Sequence, residues 1–263
     1  MGPGEGDARE DPGDTRTPEE WYRDGTRLVT AARYAEAIAC FGRVLAARPD
    51  DADAKVALAV SLDRLGFFRD AIRNAEEVIA KAPLAQDAWF IRGLALYRLG
   101  QYQSAIRCLE ETVKIHPGHA EAWFILGNAR FQAGETEESI RCFDKTLGIY
   151  PRYPKALYNK GVSLAELGKF EEAVDAYNAC IAMSPGVAVV LTNLGVALAN
   201  LGRYADAIRW FDQAIEIDPA DPMTWHDKGL ALAKMGNEQE SMACFEKYRE
   251  LSARHSSRDI FLR

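Results

Sequence analysis

An all-α chain of stacked helix hairpins is the fold class this sequence predicts, and three regularities predict it. Cut from Pro18 in steps of 34, residues 18–255 fall into seven segments with no insertion or deletion. The eighth and twentieth positions of a segment are always small, from Gly25 to Gly229 (Ala59 in the second) and from Ala37 to Ser241. Position 15 is Gly in six segments and Ala32 in the first, while position 32 is Pro in six and Ala253 in the last. Gly closes a helix by going left-handed and Pro cannot continue one. Each segment therefore reads as two helices of about 12 to 14 residues, joined at the Gly and ended at the Pro.

Residues 1–17 hold five acids, two arginines and several Gly and Pro, too little apolar surface to pack, and are expected to form a disordered acidic tail. The segments then run 18–51, 52–85, 86–119, 120–153, 154–187, 188–221 and 222–255. In each, apolar residues recur at helical spacing on both sides of position 15. The second has Lys55 and Ala75 where its relatives carry large apolar residues, so a thinner core is expected there. The fourth has Arg130, Thr136 and Ser139 at positions usually apolar or Ala, with Trp123, Phe143 and Leu147 left to hold it. Residues 256–263 are too few for a further full helix and read as a tail or partial cap in which Ile260, Phe261 and Leu262 would cover the last hairpin.

The pattern W-x-x-x-G-x-x-L, then G-x-Y-x-x-A-x-x-x-F, then Pro, resembles the tetratricopeptide repeat, and LTNLGVALANLGRYADAIRWFDQAIEIDP in the sixth segment follows it almost position for position. The resemblance covers residues 18–255. It implies a right-handed superhelical solenoid of stacked antiparallel helix hairpins, with the first helix of each pair on the concave side. It also implies that each hairpin needs its neighbours to bury its faces.

Composition excludes several classes of function. With 32 basic against 39 acidic residues, the net charge is −7, and no basic stripe offers a nucleic-acid surface. No apolar stretch suits a membrane span or signal peptide, so a cytoplasmic location is expected. GVSLAELGK at Gly161–Lys169 imitates a phosphate loop, but six residues separate the glycines and Phe170 replaces the hydroxyl residue. His116 and His119 in HPGH lack the further ligand a metal site needs. Cys40, Cys108, Cys142 and Cys244 share position 23, with Cys180 at position 27. Stacked equivalents stand too far apart to bridge, so free thiols are expected. No nucleophile motif appears, and the chain reads as no enzyme, with no cofactor and no metal.

A working surface follows from helical angle. Advancing about 100 degrees per residue, positions 4, 7, 8 and 11 of the first helix make one stripe, facing the hairpin's own second helix, and Trp89 and Trp123 belong to it. Positions 2, 5, 9, 12 and 13 make another, which in proteins similar to this one faces the groove. That stripe is aromatic in the middle of the array, with Phe90, Leu94 and Tyr97, then Phe124, Asn128 and Phe131, then Tyr158 and Val162. Asn159 and Asn193 share position 6 in consecutive segments and, with Asn128, offer amides to the backbone of an extended peptide. Such rungs resemble the asparagine ladders of some family members. The family's clamp for two carboxylates is not expected, because Phe124, Val189 and Asn193 stand at its three cationic places.

The expected function is thus a non-enzymatic scaffold holding a protein or peptide partner in its concave groove, with no nucleic acid and no membrane involved. Two alternatives stay open: a self-assembling array of copies of this chain, and a regulatory subunit of an enzyme on another chain.

Overall fold

The structure, a computed structural model, describes residues 16–261, with side chains described to residue 254. Most of the expected tail and the expected apolar cap lie outside the described residues. Two compact units divide at Ile115 and His116. In the first lie α1 (Pro18–Thr30), α2 (Tyr34–Ala47), α3 (Ala52–Arg64), α4 (Phe68–Lys81), α5 (Gln86–Arg98) and α6 (Tyr102–Ile115). The second holds α7 (Ala120–Gln132), α8 (Thr136–Ile149), α9 (Pro154–Glu166), α10 (Phe170–Met183), α11 (Ala188–Asn200), α12 (Tyr204–Ile217), α13 (Pro222–Lys234) and α14 (Glu238–Phe261). All described regular structure is helical, and the helices pack in consecutive antiparallel pairs as expected.

The punctuation acts by backbone geometry. Gly66 ends α3 at φ 85°, and the amide of Phe67 reaches back to the carbonyl of Leu62 at 2.9 Å while that of Gly66 bonds Asp63 at 3.1 Å, a Schellman closure. The first hairpin makes the same turn through Ala32, held at φ 57°. Second helices stop two residues ahead of each Pro, as at Ala47 before Pro49. Where Ala253 replaces the Pro, α14 runs on to Phe261, so residues 256–261 prolong the last helix and form no helix of their own. Thr17, placed in the tail from sequence, is instead the N-cap of α1, closing a capping box with Glu20.

Inside each hairpin the small position 8 receives the residue at position 24. A Cβ on Gly127 would lie 2.6 Å from the ring of Phe143, and one on Gly161 2.5 Å from that of Tyr177. Phe41, Phe143, Tyr177 and Phe211 are accordingly among the largest fully buried side chains. The second repeat solves the same problem differently, pairing Ala59 with Ala75, both fully buried. Its Lys55, in the slot that holds Trp in four of the repeats, is nearly buried and donates to Glu77 at 2.5 Å. In the fourth repeat, Ser139 is buried and shares a 2.9 Å hydrogen bond with Ser163 of the fifth, so its polar groups are satisfied.

In the second unit the first helices meet one another, α7 with α9, α9 with α11, and α11 with α13, whereas among the described residues α8, α10, α12 and α14 do not. The first helices therefore line the inner side of that unit, and their outward-turned residues define the candidate site.

Candidate functional site

In the first unit, α5 holds Phe90 and Tyr97 half-buried, but Leu94 is only 7% exposed and belongs to the core, a correction to its placement in the groove. The Tyr97 ring packs against Tyr102 at 5.8 Å. Beside it, Asp63 of α3 is 1% exposed and pairs with Arg98 of α5 at 2.9 Å, Arg98 donating also to the Asp63 carbonyl. Burial pushes the Asp63 carboxyl up, and the nearby Arg98 and Arg64 charges pull it part of the way back.

In the second unit Phe124 is 8% exposed, its ring 5.0 Å from Tyr153 and 6.1 Å from Phe143. Phe124 is thus a packing residue and not an open groove contact. Its neighbour Trp123, assigned from sequence to the hairpin interior, is only half-buried and donates its indole N–H to the Pro117 carbonyl at 2.9 Å. Trp89 and Trp225 make the same bond to Pro83 and Pro219, so the tryptophans tie down the loop ahead of their own helix.

The asparagines engage one another. Asn159 of α9 donates to the side-chain carbonyl of Asn128 on α7 at 2.7 Å, and Asn193 of α11 donates to the Tyr158 hydroxyl at 3.1 Å. All three amides are half-buried, as are Phe131 and Val162, and each asparagine keeps at least one further donor or acceptor by its chemistry. His119, considered as a metal ligand and set aside, caps α7 by accepting from the Ala122 amide at 3.1 Å.

Apolar exposure lies further along than the sequence stripe placed it. Val189 on α11 and Met223 and Leu230 on α13 are 51, 52 and 47% exposed, at positions 2 and 9 of the sixth and seventh repeats. A signal was present: position 2 is acidic in the first four repeats and becomes Lys155, Val189 and Met223 in the last three. Next to Val189 a cavity of about 610 Å³ is lined by Tyr150, Tyr153, Tyr158, Val187 and Val190, with Arg152 and Lys155. Tyr150 and Tyr153 sit on the loop ahead of α9, which the helical-stripe argument could not place. Burial raises the phenols of Tyr153 and Tyr158, keeping them neutral hydroxyl donors.

Family models described as tetratricopeptide repeat match residues 22–66, 56–106, 93–154, 127–188 and 158–222, and a further one matches 224–255. The chain belongs to the tetratricopeptide repeat family. Among solved structures it is similar to YrrB, a tetratricopeptide repeat protein with an unusual peptide-binding site, at a TM-score of 0.66 and 20% identity over 72% of this chain and 97% of that one. A crystal structure of MamA aligns at 0.60 and 25% identity, covering 62% of this chain and 95% of that one. MamA from Desulfovibrio magneticus RS-1, from residue 41 to its end, aligns at 0.62 and 22% identity over 64% and 95%. No curated protein sequence matches the chain.

Proposed function

We propose that the chain is a non-enzymatic interaction scaffold that binds a peptide segment of a partner protein on the first-helix surface of its second unit. The observation that carries this reading is the exposed apolar surface of Val189 on α11 and of Met223 and Leu230 on α13, on the same run of first helices that bears the oriented amides of Asn128, Asn159 and Asn193. Large apolar side chains left in water on a recognition surface favour burial against a partner, and the amides supply direction. YrrB, of the same fold, carries a peptide-binding site, and the proposal places this chain among such binders. No helix among the described residues is long and apolar enough to cross a membrane.

The test is capture from native lysate by the full chain, beside a Val189→Asp, Leu230→Asp double variant, with light scattering on both. Both residues are about half exposed, so the variant should melt like the parent and lose its captured partner. A variant that keeps every partner sinks the reading. A parent that is oligomeric alone, and a variant that is monomeric, would favour the self-assembling array instead.

A further inference from the structure

The cavity walled by Tyr153, Tyr158, Val187 and Val189 departs from the chain's average chemistry. The protein as a whole carries a net charge of −7, yet no carboxylate lines this cavity, and its only charged linings are the exposed Arg152 and Lys155. Among the described residues neither cation forms an ion pair. The remaining polar side chains of the lining carry no carboxylate: the Tyr150 hydroxyl, the raised phenols of Tyr153 and Tyr158, the Ser184 hydroxyl, and the Cys180 thiol, which burial pushes up and which donates to the Pro154 carbonyl at 3.3 Å. A carboxylate, that of Glu121, acts on Tyr153 from outside the lining.

The walls are also preformed. Tyr158 is held by Asn193, and Tyr153 packs at a tilt against Phe124, so neither ring has to be ordered when a ligand arrives. At about 610 Å³ the space lies within the range of small-ligand pockets and accommodates one or two large side chains.

We propose that this cavity receives a large aliphatic or aromatic side chain of an acidic peptide segment, with carboxylates on either side of that anchor engaging Arg152 and Lys155. The inference rests on the peptide-scaffold reading above and narrows it to a ligand chemistry and a place. The apolar anchor gives affinity by filling the pocket, and the two cations give register and a preference for acidic sequence.

The experiment pans a random displayed-peptide library against the full chain and measures the enriched peptides, as free synthetic peptides, on the parent, on Arg152→Gln with Lys155→Gln, and on Val189→Asp. These positions are exposed, and circular dichroism melts establish that each variant folds like the parent. The expected result is enrichment of peptides with a large apolar residue flanked by Asp or Glu. Affinity should fall about tenfold or more when the cations are neutralised, and binding should be lost in Val189→Asp. Enriched peptides that lack acids, or that bind all three proteins equally, overturn the cavity assignment and leave the scaffold reading standing. No enrichment at all removes the peptide-scaffold reading, and this inference falls with it.

Discussion

Ala32 stands at φ 57°, where the other six repeats place glycine. An L-residue in that conformation crowds its Cβ against the following carbonyl, so Ala32→Gly is expected to stabilise the chain by about 0.5–1 kcal/mol, read from urea melts. Gly66→Ala, at φ 85°, should cost about 1–2 kcal/mol. The other demand on glycine is space. Because a Cβ on Gly127 would lie 2.6 Å from Phe143, Gly127→Ala should cost about 1–3 kcal/mol by overpacking. The same change made in a Phe143→Ala background should cost far less, since Ala opposite Ala is the arrangement the second repeat already uses at Ala59 and Ala75. Additive costs in that double-mutant cycle would refute the pairing. The small-position pattern made both roles of glycine legible from sequence, but not the partner ring each one meets.

Helix limits were legible because Gly and Pro act locally, through their own torsions. The direction of a first-helix side chain was less so. Angular projection put Trp123 inside and Phe124 in the groove, whereas Phe124 is buried and Trp123 is half-exposed. The reason is that Phe124 packs on Tyr153, a residue of the next inter-repeat loop, and a projection of α7 on its own hairpin contains no such neighbour. Trp123→Phe should keep part of the packing but lose the indole bond to Pro117, at about 1 kcal/mol, and Trp123→Ala should lose about 2–3 kcal/mol, less than for a fully buried ring. Between α3 and α5, Asp63 makes stability depend on pH. Its folded-state pKa is raised above the ordinary 3.8, so from 3.8 up to the raised value the folded chain keeps a proton that the unfolded chain has released. Stability therefore falls as pH rises through that interval and levels off above it. Asp63→Asn should flatten the decline in urea midpoints, and parallel curves for the two proteins would contradict the assignment.

Across the array, ion pairs recur every second repeat: Arg92 with Glu76, Lys160 with Asp144, and Lys228 with Asp212, each joining position 7 of one repeat to position 25 of the one before. Partly exposed pairs add little stability, but they fix the register of stacked hairpins. A repeat array is only as closed as its weakest member. In the first unit that member is the second repeat, whose Ala75 and Lys55 stand where most other repeats place rings. Amides of α3 and α4 are expected to exchange with deuterium about tenfold faster than those of α5 and α6, and equal protection would show the Lys55–Glu77 pair to be an adequate substitute. The bonds from Trp89, Trp123 and Trp225 to the carbonyls of Pro83, Pro117 and Pro219 have a further use. Indole N–H protons give their own resolved resonances, and each of these three belongs to a different loop. The chain thus carries three built-in spectroscopic reporters, and heating it would show, resonance by resonance, the order in which its loops let go.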